Sequence, residues 1–251
     1  MKQAGLVSGK VNTVTTDAVK DAGGKGRLLH TVLWVIACVG SLSLSAVSRA
    51  ADIPLYPTGP SADSSFVRFI NGTDAALELT AAGSQAKVQL DSKTPTTVFY
   101  PVRAKSDIKG QFSQAQSKSD IATTVKAGEF VTVIALADGS KLKHLTIGEE
   151  PDDFNALKVS LAFYNVSAAC ANAGLQVVGR EVMLFEKVGV NALTRRMINP
   201  VKISVQLLCG DQATGAPLEL GELIAGERYS VFAVPTASTT RLFIASDAVA
   251  R

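Results

Sequence analysis

Val201 opens the stretch VKISVQLL, in which Val201, Ile203, Val205 and Leu207 fall on one side and Lys202, Ser204 and Gln206 on the other. Strict alternation of this kind is the period of a strand buried on one face. Residues 157–164 alternate in the same way and predict Leu157, Val159, Leu161 and Phe163 pointing inward. Further strands are predicted at FVRFI from Phe66, ALELT from Ala76, AKVQL from Ala86, TTVFY from Thr96, FVTVIAL from Phe130 and KLKHLTI from Lys141. Turn residues punctuate them at short intervals, as in Asn71-Gly72, Asp138-Gly139 and Gly210-Asp211. No segment sustains a helical period. The polar run from Lys105 to Asp120 reads as a long loop or an edge hairpin.

The pattern occurs twice. AGEFVTVIAL from Ala127 is echoed by AGERYSVFAV from Ala225, and FVRFINGTDA from Phe66 by LAFYNVSAAC from Leu161. A basic residue and a leucine follow each later copy, in KLKHL from Lys141 and RLFIA from Arg241. Three landmarks in one order at a nearly constant offset indicate a tandem repeat of units of roughly ninety residues, each large enough for one small core. The fold expected is all-β: two tandem antiparallel β-sandwiches, immunoglobulin-like or related, with Phe66 matching Leu161 and Val131 matching Tyr229. Gly128 and Gly226 would occupy the turn before a core strand in each unit. The acidic stretch GEEPDDFN from Gly148 reads as a solvated boundary. The expected organisation is a signal segment over 1–50, sandwiches over 51–147 and 157–251, and a linker over 148–156.

Composition changes this picture at the N-terminus. Lys20, Lys25 and Arg27 precede the apolar run LLHTVLWVIACVGSLSLSAV, and Ser48-Arg49-Ala50 supplies small residues for cleavage near Ala50. That is the pattern of a secretory signal with a long leading region, which implies an exported protein. An uncleaved anchor is the alternative, because the run approaches spanning length. Residues 51–251 then hold 19 Lys and Arg against 20 Asp and Glu, so the basic balance of the whole chain carries no implication of nucleic-acid binding. Cys38 lies in the apolar run, which leaves Cys170 and Cys209; in an exported protein the pair is expected to form a disulfide, the alternative being two buried thiols.

Candidate chemistry is sparse. His144 is the one histidine beyond the apolar run, and no Gly-x-Ser-x-Gly turn accompanies it, so it reads as a strand-surface residue and not as the base of a hydrolase. A lone histidine with two distant cysteines does not make a zinc site, and no phosphate loop or dinucleotide fingerprint occurs. No catalytic residue, metal ligand or cofactor is expected. The acidic pairs Glu149-Glu150 and Asp152-Asp153 fall in the linker. Asn71 and Asn165 each begin a glycosylation sequon, yet an Asn ending a strand at a turn explains both. Binding has more support: VNALTRRMINPVK from Val190 offers Arg195, Arg196 and Lys202 in a segment read as a loop, and guanidinium groups match carboxylates of an acidic partner or polysaccharide. The alternative is an ordinary basic surface, with both arginines solvated or paired with Glu181 and Glu186. Pro200 should mark the entry of the following strand.

LYPTGPSADSSFVRFINGT from Leu55 and INPVKISVQLLCGD from Ile198 resemble two passages of the alginate O-acetylation protein AlgF family. The resemblance implies a non-catalytic periplasmic adaptor in exopolysaccharide O-acetylation, of alginate or, in a related system, cellulose. It would bridge a membrane-bound O-acyltransferase and periplasmic acetyltransferases of the SGNH type. The competing readings are a module that binds anionic polysaccharide and, further off, an acetyl esterase or transferase.

Overall fold

The computed structural model describes residues 64–150 and 155–250. The expected signal segment, its cleavage point near Ala50, and Asp152 and Asp153 lie outside the described residues. Sixteen strands and no helix occur among the described residues. In the first half they are β1 (Ser64–Asn71), β2 (Leu77–Ala81), β3 (Lys87–Leu90), β4 (Tyr100–Arg103), β5 (Asp107–Gln114), β6 (Ser117–Thr124), β7 (Phe130–Asp138) and β8 (Lys141–Glu149). The second half has β9 (Val159–Asn165), β10 (Asn172–Val177), β11 (Met183–Gly189), β12 (Ala192–Ile198), β13 (Val201–Cys209), β14 (Gln212–Leu223), β15 (Arg228–Pro235) and β16 (Thr240–Ser246).

The first half forms sheets β4-β1-β7-β8 and β3-β2-β5-β6, and the second forms β12-β9-β15-β16 and β11-β10-β13-β14. Adding eight to every strand number of the first pair of sheets gives the second pair. The repeat read from the decapeptide echoes is therefore a repeat of the whole eight-strand topology. Each unit is a β-sandwich with one parallel pair in an otherwise antiparallel framework, β1 with β7 and β9 with β15. In these pairs Val67 is level with Val131, and Leu161 with Tyr229. Leu161 thus corresponds to Val67, one residue on from the expected Phe66. The shift matters because side chains alternate faces: Val67 and Phe69 enter the first core as Leu161 and Phe163 enter the second.

The shared turn chemistry is local and explicable. Gly128 and Gly226 have φ of 73° and 80°, in the left-handed region that a side chain disfavours, and their N–H groups donate to Ser64 and Lys158 carbonyls. Asn71 and Asn165 are buried. Asn71 Nδ2 donates to the carbonyls of Ala75 and Leu90, and Asn165 Nδ2 to those of Cys170 and Val188. Each amide ties the end of a first strand to the next loop and to the third strand, so both sequons are structural staples.

Some expected strands are displaced. Leu157 precedes β9 in a turn and is 80% exposed, not inward. The segment TTVFY is mostly outside β4: Thr96 makes an isolated bridge to Ile70, and Phe99 to Val249 near the C-terminus. The C-terminal tail takes the Phe99 backbone, with Phe99 N donating to Ala248 O and Ala250 N to Phe99 O. The polar run after Lys105 is the β5–β6 hairpin, paired from Asp107 to Thr124. Cys170 and Cys209 form a disulfide with Cα atoms 4.9 Å apart, joining the loop after β9 to the end of β13.

Three apolar clusters, not two, hold the described residues together. One fills each sandwich. The third joins the facing sheets of the two sandwiches, with Ile70, Ile134, Leu136 and Ile147 against Ala162, Tyr164, Phe232, Val234 and Phe243. Its rings are stacked, Tyr164 on Phe232 at 4.6 Å and Phe232 on Phe243 at 5.0 Å. The four sheets are consequently stacked as four layers, and the two inner sheets are covered on both faces. Every residue of β9 is buried for this reason.

Candidate functional site

At one end of the seam between the sandwiches the apolar contact gives way to a buried ionic cluster. Arg68, third residue of the apolar run FVRFI, points away from the first core and is fully buried. Its Nη1 donates to Asp247 Oδ1 at 2.6 Å, its Nη2 to Ser230 Oγ at 2.9 Å and its Nε to Thr132 Oγ1 at 3.0 Å. The guanidinium carbon also lies 4.4 Å from the Phe99 ring centroid and 5.0 Å from that of Phe232. Arg195, from β12, donates to Glu149 through Nε and Nη2, to Asp247 Oδ2 at 2.8 Å and to Ser160 Oγ at 3.1 Å. Ser230 donates to Asp247, and Arg228 Nη2 lies 3.9 Å from Glu149 Oε1.

The repeat explains the arrangement. Thr132 and Ser230 occupy the same position of the Ala-Gly-Glu echo, 98 residues apart, and so do Glu149 and Asp247 at the far end of the following strand. Each unit thus contributes a hydroxyl and a carboxylate. The arginines come from neighbouring strands: Arg68 sits on β1, whereas its equivalent on β9 is Ala162, which is level with Arg195 of β12. Burial disfavours ionised Asp247, but the Arg68 and Arg195 charges and the Ser230 hydrogen bond outweigh it and hold the carboxyl below its ordinary value. Burial likewise works against charged Arg195, and the Glu149 hydrogen bond with the Asp247 charge overcomes it and raises its affinity for the proton. Tyr164, buried beside the cluster, is pushed up by burial. These charges satisfy one another across the seam, so the cluster is a clamp between the sandwiches.

The three expected binding residues do not form one surface. Arg195 is corrected outright: it lies in a strand, its side chain is 6% exposed, and its partners are Glu149 and Asp247, not Glu181 or Glu186. Arg196 follows it on β12 and so faces the other way, where it is exposed and donates to the Leu184 carbonyl at 2.6 Å. Lys202 is exposed on β13, in a different sheet, beside a shallow depression shared with Arg180 and Glu219. Pro200 does precede the strand entry at Val201. Glu149, expected in a solvated run, ends β8 inside the clamp. His144 is on β8, and its Nδ1 is 2.9 Å from Ser119 Oγ of β6, a bridge between edge strands of the two sheets of one sandwich. Among the described residues no group of three or more His, Cys, Asp or Glu is placed to hold a metal ion.

Arg68, Thr132, Glu149, Ser230 and Asp247 were missed as partners. The available signal was the positional match of hydroxyl with hydroxyl and acid with acid between the repeats, together with an arginine inside an otherwise apolar strand.

The profile of the family described as Alginate O-acetyl transferase AlgF matches residues 39–230. The chain belongs to the AlgF family. That membership places it in alginate O-acetylation. No curated protein matches the chain. Among solved structures it is similar to the C-terminal domain of AlgF from P. aeruginosa, at 20% identity over 36% of this chain and 98% of that one, with a TM-score of 0.31. It is also similar to the Bacillus anthracis TIE protein, at 9% identity over 71% of this chain and 35% of that one, with a TM-score of 0.24. Among the described residues no helix is long and apolar enough to cross a membrane.

Proposed function

We propose that this AlgF-family chain is a non-catalytic periplasmic adaptor that holds a membrane-bound O-acyltransferase and a periplasmic SGNH-type acetyltransferase together while alginate is acetylated. The observation that carries this reading is the seam. Two sandwiches joined by a third apolar cluster, an ionic clamp and a C-terminal tail that crosses to Phe99 make one body, with the outer sheets of the two units turned away from each other. Rigid spacing of two recognition faces is what an adaptor requires, since ordering entropy is then not lost again when the second partner docks. The export signal read from the sequence suits the compartment. Cellulose as the polymer, and a polysaccharide-binding module as the function, are weaker readings; no aromatic platform for sugar rings occurs in the basic segment.

Affinity capture of the tagged full chain from its native envelope tests the proposal, together with an acetyl-ester hydrolysis assay on the pure protein. The adaptor reading expects both acetylation components in one capture and no turnover. Capture of neither component, with tight retention of alginate, would replace it with the binding module.

A further inference from the structure

The repeat makes two corners of the seam equivalent, yet among the described residues only one of them is bridged by a loop carboxylate. At the closed corner the start of β16 overhangs the β1–β2 loop. Arg241 Nη2 donates to the Thr73 carbonyl at 3.0 Å, its Nε lies 4.0 Å from Asp74 Oδ1, and Ala237 N donates to Asp74 Oδ2 at 2.9 Å. A loop carboxylate, itself half exposed and presented one residue after the stapled Asn71-Gly72-Thr73 turn, therefore bridges that corner as a partial plug.

At the other corner the start of β8 faces the β9–β10 loop. Lys143 stands where Arg241 stands, 98 residues earlier, and Ser167 stands where Thr73 stands after its own Asn staple. The residue following Ser167 is Ala168, so this loop has no carboxylate to offer. A cleft of about 420 Å³ remains there, lined by Leu136, Lys143, His144, Leu145, Val190 and the exposed Ala168, among others. Lys143 pairs with Asp138 at 3.6 Å, and both side chains are more than half exposed. Such a surface pair is worth little and is readily exchanged for another carboxylate.

We infer that this cleft receives an acidic loop of a partner protein, with an Asp or Glu carboxylate against Lys143, His144 alongside, and the flanking apolar side chains on Leu145 and Val190. The inference deepens the adaptor reading and rests on it for the source of the loop. A protein carboxylate is the occupant because the chain's own β9–β10 loop lines the cleft without the carboxylate that the β1–β2 loop gives Arg241, and because the cleft walls around the cation are small and aliphatic. Ala168 stands where Asp74 stands in the first unit and lacks only its carboxyl group.

A peptide with the sequence of the chain's own plug, residues 70–77, is the probe, titrated into the purified chain and followed by the NMR signals of Ala168, Ala169 and His144. The expected result is saturable shifts at those residues in roughly the millimolar range. A peptide with Asp74→Asn should bind about tenfold more weakly, the size of one charged hydrogen bond. Lys143→Glu in the protein should weaken the Asp peptide similarly. Ala168→Asp should do so as well, by giving the chain an internal plug, with no fall in melting temperature. Equal binding of the Asp and Asn peptides, or by unmodified and Ala168→Asp chains, would overturn the inference. So would oligouronate shifting the same signals more strongly than the peptide. The purified chain alone is used, so failure here is separable from failure of the adaptor reading, which envelope capture decides.

Discussion

The two sandwiches carry the same strands in the same order, but they meet the seam with different residues. The first unit sends Arg68 from β1 and sets Phe99 beside it; the second has Ala162 at the position of Arg68 and sends Arg195 from β12 instead. The carboxylates are alike, Glu149 and Asp247, and so are the hydroxyls, Thr132 and Ser230. Two identical faces would have brought arginine towards arginine about their symmetry axis. Placing the cations on different strands of the two units lets each find a carboxylate across the seam, Arg68 at Asp247 and Arg195 at Glu149, while Arg195 also pairs with Asp247 of its own unit. The complementarity of the seam thus lies in the non-equivalent positions of the two repeats.

The comparison can be broken most severely at Asp247, which serves both arginines. Asp247→Ala leaves two buried guanidinium groups short of a counter-charge, and a loss of about 3–5 kcal/mol in chemical denaturation is expected. Removing the disulfide, present only in the second unit, by Cys170→Ser with Cys209→Ser should cost about 2–4 kcal/mol, and hydrogen exchange should show the loosening confined to that unit.

A smaller and sharper contrast separates adjacent residues of β12. Arg195→Ala should destabilise by at least about 2 kcal/mol, whereas Arg196→Ala should stay within about 1 kcal/mol because its guanidinium is exposed. Similar melting curves for the two variants would remove Arg195 from the clamp.

The smallest effect is in pH. Asp247 has its folded pKa depressed below its ordinary 3.8, so its contribution is complete above that value and is lost as pH falls from there through the folded pKa. Stability measured against pH should therefore fall on acidification below about 4, and Asp247→Asn should flatten that part of the profile.

Local features were legible in the sequence because they are local. The left-handed glycines before β7 and β15, the Asn staples and the alternation of β13 each arise within a few residues, and the repeat doubled every signal. The clamp was not legible, because Arg195 and Glu149 are 46 residues apart and only the packing of two whole sandwiches brings them together. Alternation of apolar residues reads as a half-buried strand, and that reading assigns the second face to solvent. FVRFI and LAFYN are nearly continuous apolar runs, which is how a strand covered on both faces reads. Taken that way, Arg68 is a buried charge in need of a partner, and the seam follows. The basic segment misled for the converse reason: two neighbouring arginines on a strand face opposite ways, so one entered the seam and only one stayed outside.

The claim on which the account turns is that the two sandwiches are energetically joined through Arg195. A double-mutant cycle between Arg195→Ala and Glu149→Ala, read by reversible denaturation, measures that coupling directly. The account predicts a coupling of roughly 1.5–3 kcal/mol, with both single variants destabilised. Additive effects, with a coupling within about 0.5 kcal/mol of zero, would contradict it.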